Sequence, residues 1–367
     1  MANLVGYRPQ NPPINSVAVP EELEEKPGVG IRVNLDDDDD DGTADAWEPT
    51  SQPIVGEDDL IRVDVHTVPF NAAGVQWVLK ADTTKLRVYG ANDRTNPLLY
   101  PGVSEIVLNN AIGQVFVEWA VPPAAGATAE LTLEARTATG NPATSGKVAL
   151  SDTLTFYPFR SIVIVLGGEN QTPTDPAPGN HGVFQFAIEQ YRNGYDVRMF
   201  DEDAVPGLNL EGFGLGPTSG AAYKAVQNAV NRQFQTKVAL IGYSHGGGSV
   251  YDLAYVMDQQ RTAGNLDPHQ LVFTAYIDAV QNDAPVTVSN AIAAVLAESR
   301  RPPGSQFHTN QYQRNPHPTS PFVGAATVGG DDNVNRSAIA GIYHTTIDDP
   351  PVVLSLLKTR FLEHVVR

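Results

Sequence analysis

The chain has 367 residues, of which 41% are hydrophobic, and it carries a formal net charge of −18. This length and apolar content are typical of a globular protein of two or three domains. The acidic balance argues against nucleic acid or an anionic membrane as partner, and the absence of cysteine excludes disulfide bonds and thiol chemistry. No apolar run approaches the roughly 20 residues that a membrane-spanning helix needs.

Residues 1–55 form a predicted extended leader that is rich in proline, asparagine and acidic side chains. Residues 1–60 contain 15 acidic and 3 basic side chains, so most of the net charge lies at this end. The start of the chain lacks the basic segment and apolar core of a signal peptide. Residues 31–35 alternate between apolar and polar side chains and predict a short strand before an aspartate run.

The aspartate run matches the pattern of a calcium-binding loop. In a twelve-residue frame, acidic residues fall at positions 1, 3, 5, 9 and 12, and glycine falls at position 6. The acidic residues of this frame are Asp37, Asp39, Asp41, Asp45 and Glu48. Hard carboxylate oxygens at this spacing favour Ca²⁺ over zinc or copper, so we expect a structural calcium site, which favours an extracellular or cell-surface protein. The register stays open because Asp36 and Asp38 fit a shifted frame, and a solvated acidic tail is the alternative.

Residues 56–158 predict an antiparallel β-sandwich of the immunoglobulin-like kind. Short segments with alternating apolar and polar residues are separated by Gly, Pro and Asn clusters. The predicted strands cover residues 60–65, 75–79, 85–89, 115–119, 129–135 and 154–157. We expect no catalytic cluster in this domain.

Residues 159–367 predict a doubly wound, mostly parallel α/β domain. Residues 161–166 form a continuous apolar run, as a parallel strand buried on both faces requires. Further strands are predicted at 196–200, 238–241, 271–277 and 337–343, and helices at 183–191, 221–234, after the third strand, and at 349–366. The closing helix is expected to bury Val353, Leu356, Leu357, Leu362 and Val365. Loops at 168–181, 204–219 and 281–336 are expected to frame a pocket.

Residues 238–249 contain the main catalytic signal. The pentapeptide Gly242-Tyr-Ser-His-Gly246 matches G-x-S-x-G between a predicted strand and a predicted helix, which is the setting of a nucleophile elbow. Small residues two positions before and after the serine permit its sharp turn. Ser244 is therefore the predicted nucleophile, and the N–H of His245 is a predicted oxyanion donor. A plain Gly-Ser turn is the alternative interpretation.

A serine hydroxyl needs a histidine that takes its proton and a carboxylate that orients the histidine. Asp278 ends the predicted strand 271–277, where the sites of open α/β sheets gather, and Asp283 is the fallback. His344 directly follows the last predicted strand, and we expect it to be the base. The base is expected to follow both the serine and the acid in the chain. The remaining histidines either precede one of these residues or have an expected loop or surface position: His66, His181, His269, His308, His317 and His364.

With these motifs, residues 158–367 resemble the α/β-hydrolase superfamily of lipases and esterases. The resemblance rests on Gly-Tyr-Ser-His-Gly-Gly at 242–247, Tyr-Ile-Asp at 276–278 and His-Thr-Thr-Ile-Asp-Asp at 344–349. It implies a Ser-His-Asp triad and an acyl-enzyme. It also implies a second oxyanion donor in the loop after the first strand of the domain, here the N–H of Gly168 or Glu169, although the longer glycine run of some esterases is missing.

The predicted function is a serine hydrolase that cleaves carboxylic esters, with a small-molecule or lipid-like substrate and no organic cofactor. Thioester and amide bonds stay open because the same groups cleave them. The alternative is a calcium-stabilised binding or adhesion protein whose hydrolase-like domain is inactive.

Overall fold

The computed structural model describes residues 28–33, 61–68, 75–91, 95–108, 113–121, 127–137, 148–156, 160–169, 171, 182–193, 195–205, 218, 220–231, 236–282, 296–317 and 320–366. The predicted calcium ligands lie outside these ranges, as do His181 and the fallback acid Asp283. Among the described residues, two compact units divide between Phe156 and Arg160, apart from residues 192–193, which group with the first unit.

The first unit contains two antiparallel sheets. Its strands are β1 (Gly28–Val33), β2 (Ile61–Val68), β3 (Val75–Ala81), β4 (Leu86–Tyr89), β5 (Pro97–Leu99), β6 (Glu105–Val107), β7 (Gln114–Trp119), β8 (Ala129–Thr137) and β9 (Val148–Phe156). One sheet has the order β1-β2-β7-β4-β5 and the other has the order β6-β3-β8-β9. Alternate residues such as Leu131 and Leu133 are buried, as the two-residue period of a strand requires. The prediction of antiparallel strands before the parallel domain is confirmed, whereas β5 and β6 are too short to show alternation in the sequence.

The second unit is built on one parallel sheet. Its strands are β10 (Ser161–Leu166), β11 (Asp196–Phe200), β12 (Lys237–Tyr243), β13 (Gln270–Ile277), β14 (His308–Tyr312) and β15 (Asp332–Asn335), and its helices are α1 (Gly182–Arg192), α2 (Ala221–Val230), α3 (His245–Thr262) and α4 (Pro351–His364). The strand order is β11-β10-β12-β13-β14-β15, with every neighbouring pair parallel. The predicted parallel α/β domain is therefore confirmed. In the described residues, no helix has the length and hydropathy of a membrane span.

The order in which strands are added to the sheet reverses at β10. The chain runs from β10 to the outer strand β11 and then returns to β12 on the other side of β10. Sites of open α/β sheets lie at such a reversal, beyond the carboxyl ends of the strands. Apolar side chains from β10, β12, α2 and α3 pack in one core below this edge, among them Ile164, Leu240, Val226 and Leu253. Burial of each such side chain contributes about 1.5–3 kcal/mol.

The prediction of a last strand at residues 337–343 is wrong. The sheet ends with β15, and turns follow it. Asn335 Oδ1 accepts hydrogen bonds from the backbone N–H and the hydroxyl of Ser337, at 2.9 and 2.6 Å, and Gly341 has a φ of 79°. Side-chain hydrogen bonds of this kind compete with a strand ladder, so local turn chemistry outweighs the apolar pattern.

The expectation that His308 lies in a loop is also wrong, because residues 308–312 form the buried strand β14. His308 contacts the hydroxyls of Thr274 and Thr327 at 2.8 and 3.0 Å, and Asn310 Nδ2 donates to the carbonyl of Ala325 at 2.7 Å. Buried polar groups are tolerated when they are hydrogen-bonded. A strand buried in this way shows no apolar run in the sequence.

The closing helix is shorter than predicted, and its predicted buried face is correct at Val353, Leu357 and Val365 but wrong at Leu362. Helix α4 buries Val353, Leu357 and Phe361, whereas Leu362 is 48% exposed. A spacing of four residues keeps the buried side chains on one face, and Leu362 lies about 100° away from Phe361. His364 stacks on Phe307 with ring centroids 3.9 Å apart, so it is partly buried rather than a plain surface residue.

Candidate active site

Ser244 lies on the turn between β12 and α3, with a φ of 54° and a ψ of −125°. Residues with a Cβ rarely adopt this conformation, and it costs on the order of 1–3 kcal/mol. Neighbouring backbone groups hold it in place: the Ser244 N–H donates to Ile277 O at 3.1 Å, and Ser244 O accepts from the N–H groups of Gly247 and Val280 at 2.9 and 2.8 Å. The serine therefore sits on a strained, well-supported turn at the carboxyl edge of the sheet.

The two glycines of the motif are required by close backbone contacts. A Cβ on Gly242 would lie 2.2 Å from the carbonyl oxygen of Gly246, and a Cβ on Gly246 would lie 2.2 Å from the carbonyl oxygen of Gly167. Both distances are far shorter than a van der Waals contact. Strand β12, helix α3 and the loop after β10 can approach this closely only without side chains at these positions.

Two hydrogen bonds join Ser244, His344 and Asp278 in a continuous chain. Ser244 Oγ lies 2.7 Å from His344 Nε2, and His344 Nδ1 lies 2.8 Å from Asp278 Oδ2. All three residues are buried, with exposures of 5%, 4% and 0%. Because an ionised carboxylate only accepts hydrogen bonds, Nδ1 of a neutral His344 carries the proton and Nε2 accepts from the serine hydroxyl. The structure thus brings together the three side chains that the sequence singled out.

Asp278 receives two further hydrogen bonds from Gln313, a residue that the sequence pattern did not reveal. The backbone N–H of Gln313 donates to Asp278 Oδ1 at 2.9 Å, and its Nε2 donates to Asp278 Oδ2 at 2.7 Å. Gly324 also packs on this carboxylate, since a Cβ there would lie 2.1 Å from Oδ1. A single glutamine after a polar strand carries no motif, so only the three-dimensional contact identifies it.

Aromatic side chains surround the imidazole of His344. The Tyr243 ring stacks on it with centroids 5.8 Å apart, and the Phe322 ring lies 5.3 Å away. The Tyr243 hydroxyl donates to the carbonyl oxygen of His344 at 2.5 Å. Burial raises the pKa of Tyr243 well above its ordinary value, and the nearby carboxylates of Asp348 and Asp278 add to the shift, so the hydroxyl stays a donor.

Two of the predicted oxyanion donors, His245 and Gly168, border Ser244. His245 is the first residue of α3, and N–H groups in a first helical turn have no intrahelical acceptor. The positive end of the helix dipole also lies there. Gly168 packs against the serine, since a Cβ on Gly168 would lie 2.9 Å from Ser244 Cβ.

The N–H of Gly168 is engaged by a side chain of its own loop. It donates to Gln171 Oε1 at 3.1 Å, and Gln171 Nε2 in turn donates to Asp348 Oδ2 at 3.2 Å. A substrate oxygen can use this N–H only after it displaces the Gln171 amide. The sequence reasoning did not anticipate this contact.

A second buried acid follows β11. Glu202 begins a short 3₁₀ turn, Glu202–Ala204, and is 7% exposed, and its Oε2 has no hydrogen-bond partner within the described residues. Burial raises its pKa to about 8, and the nearby carboxyl of Glu169 adds to the shift. The carboxyl of Glu202 is therefore largely protonated at neutral pH, close to the loop that carries Gly168.

The described residues contain no candidate metal site. Where the structure describes the chain, no three His, Asp or Glu side chains are grouped as a metal site. The five acidic residues of the predicted calcium loop lie elsewhere, outside the described ranges. The calcium site remains a prediction from the sequence.

Comparison with known proteins gives little beyond this geometry. No protein-family model and no curated protein matches the chain. Two solved structures of RedJ, a thioesterase from the prodiginine biosynthetic pathway in Streptomyces coelicolor, one with a PEG molecule in the active site, are similar at 14% and 13% identity. Each covers 55% of this chain and 90% of the other, with TM-scores of 0.29 and 0.31. At these TM-scores the likeness supports no conclusion about family, substrate or mechanism.

Proposed function

We propose that this protein is a serine hydrolase of the α/β-hydrolase type that cleaves carboxylic esters. Ser244 is the nucleophile, His344 the base and Asp278 the orienting acid. The observation that carries the proposal is the unbroken hydrogen-bond chain from Ser244 Oγ through both nitrogens of His344 to Asp278 Oδ2. The strained turn that carries the serine, at the carboxyl edge of a parallel sheet, supports the same conclusion.

The geometry suits acyl transfer in two steps. As Ser244 Oγ bonds to the ester carbonyl carbon, its proton passes to His344 Nε2, and Asp278 stabilises the resulting imidazolium. Collapse of the tetrahedral intermediate breaks the bond to the alcohol, which leaves with that proton. Water then attacks the acyl-serine with the same base, releasing the acid and restoring the serine.

The negative charge on the intermediate requires hydrogen-bond donors. The N–H of His245, at the start of α3, is one proposed donor, and the N–H of Gly168 or Glu169 is the second. Removal of one such donor typically slows acyl transfer by about 10²–10³-fold. Because Gln171 engages the Gly168 N–H, that group can serve as the second donor only when the substrate replaces the amide.

The substrate is proposed to be a small-molecule or lipid-like ester. Phe322 and Tyr243 lie beside the His344 imidazole and favour an apolar acyl or alcohol group. A thioester has the same carbonyl geometry and is the variant to test beside oxygen esters.

The decisive experiment compares wild type with Ser244→Ala on a panel of p-nitrophenyl esters and acyl thioesters. We expect hydrolysis by wild type and a loss of about 10³-fold or more in the variant. A fluorophosphonate probe should phosphonylate Ser244 in the wild type, which mass spectrometry of the peptide detects without knowledge of the substrate. Equal background rates in both proteins and no labelling would overturn the proposal and favour an inactive, calcium-stabilised binding protein.

A further inference from the structure

We infer that Gln313 is a positioning residue that fixes the carboxylate of Asp278 for its contact with His344. The inference rests on the proposed function. Gln313 follows β14 directly and is fully buried. Its backbone N–H and its side-chain amide each donate to a different oxygen of Asp278, at 2.9 and 2.7 Å.

The orientation of the Gln313 amide is determined by its partners. Nε2 donates to Asp278 Oδ2 and to the carbonyl oxygen of Phe322, at 2.7 and 3.2 Å, and Oε1 accepts from the backbone N–H of Asn315 at 2.5 Å. A reversed amide would place its oxygen against a carboxylate and its NH₂ against another N–H. Both contacts would be repulsive, so the amide must present a donor to Asp278.

Two points of attachment fix the plane of the carboxylate. Oδ1 accepts from the Gln313 backbone, whereas Oδ2 accepts from both the Gln313 side chain and His344 Nδ1. Rotation of the carboxylate would break both Gln313 contacts at once. Gln313 therefore fixes the direction of the carboxylate that orients the base.

A structural role alone is the competing explanation, because the Gln313 carbonyl oxygen also accepts from the N–H of Gly324 at 2.8 Å. Gln311 provides a matched control, since it is a second buried glutamine two residues earlier. Its Nε2 donates to Val353 O at 2.9 Å and its Oε1 accepts from Arg336. The Gln311 side chain thus supports α4 rather than the Asp278 carboxylate.

The first test is the pH profile of Gln313→Glu. A protonated glutamic acid can still donate to Asp278, whereas an ionised one repels it. We therefore expect kcat of Gln313→Glu to fall as pH rises, along a descending limb that wild type and Gln311→Glu lack. Gln313→Met, which keeps the length of the side chain without the donor, should lower kcat by about 10–100-fold with KM little changed. Profiles of parallel shape for Gln313→Glu and Gln311→Glu would overturn the inference.

The second test does not depend on activity. We expect the proton between His344 Nδ1 and Asp278 to give a downfield NMR resonance in wild type, which should shift or broaden in Gln313→Met and stay in place in Gln311→Met. An unchanged resonance in Gln313→Met would overturn the inference. If wild type neither hydrolyses esters nor reacts with fluorophosphonate while the resonance still depends on Gln313, the proposed function fails and the positioning of Asp278 stands.

Discussion

Ser244 and Asp278 follow neighbouring parallel strands, and both have a positive φ, of 54° and 49°. Within the described residues, these are the two non-glycine positions with positive φ. The two turns are also tied together, because Ser244 O accepts from the N–H of Val280 and the Ser244 N–H donates to Ile277 O. Backbone strain is thus concentrated at the two residues whose side chains meet His344, as is common at functional sites.

The substitution Asp278→Asn should remove the negative charge of the acid while keeping the backbone conformation of its turn. Asparagine tolerates positive φ nearly as well as aspartate, so Asp278→Asn should fold. The amide no longer selects the imidazole tautomer that accepts the serine proton, and we expect kcat to fall by about 10³–10⁴-fold. Ester kinetics together with thermal unfolding test this expectation. A folded variant that keeps a tenth of the wild-type kcat would contradict the role of Asp278.

Gly246→Ala should destabilise the protein through overlap rather than through backbone conformation. The added Cβ would lie 2.2 Å from Gly167 O and 2.5 Å from Leu166 O, and backbone atoms cannot move away cheaply. We expect a loss of about 1–3 kcal/mol or more in the free energy of unfolding. Gly113→Ala is the control, because a Cβ there meets no atom within 4 Å. Similar urea midpoints for the two variants would refute the packing argument.

His308 should make the protein less stable in acid. Burial lowers its pKa to about 3, whereas an unfolded histidine titrates near 6.5. Between these values the unfolded chain binds more protons than the folded one, so the free energy of unfolding rises with pH and is lost as pH falls. His308→Gln should remove up to about 1.4 kcal/mol per pH unit from this slope. Urea titrations from pH 4 to pH 7 measure it, and identical slopes would count against the prediction.

Glu202 should make the free energy of unfolding fall as pH rises, which is the opposite of the effect of His308. Its pKa is raised to about 8 in the folded protein, so the folded state binds more protons than the unfolded state above about pH 4.3. Stability is therefore lost as pH rises towards 8, and the full penalty is present above that value. Glu202→Gln should stabilise the protein at pH 9 and have little effect at pH 4. The exposed Glu363→Gln serves as control, and equal effects of both variants would contradict a special role of burial.

The predicted calcium loop gives a test that needs no structure. A cation that binds only the folded protein raises the melting temperature, and the rise grows with the logarithm of the cation concentration above its dissociation constant. We expect Ca²⁺ to raise the melting temperature relative to EDTA, and Asp37→Asn with Asp41→Asn to remove the difference. Magnesium is the control, because its preference for octahedral geometry suits such a loop poorly. Equal melting temperatures with Ca²⁺ and EDTA would leave the segment as a solvated acidic tail.

The sequence predicted those parts of the fold whose burial requires apolar residues. Strand β10 was predicted with its observed bounds, because a strand buried on both faces must read as a continuous apolar run. Chain order and the G-x-S-x-G motif likewise predicted that Ser244, Asp278 and His344 would meet. Strand β14 and Gln313 could not be predicted, because their burial depends on hydrogen bonds to residues far away in the sequence.

The polar side chains of strand β14 affect how the groups of the candidate active site are aligned. Hydrocarbon side chains can slide past one another with modest loss, whereas the His308 imidazole and the Gln311 amide hydrogen-bond to particular groups on neighbouring segments. A slip of two residues along β13 would keep the faces of the strand correct while parting His308 from Thr274 and Gln313 from Asp278. Hydrogen bonds to specific partners therefore fix the register of β14 against β13. The alignment of the reacting groups depends on these polar contacts rather than on apolar packing.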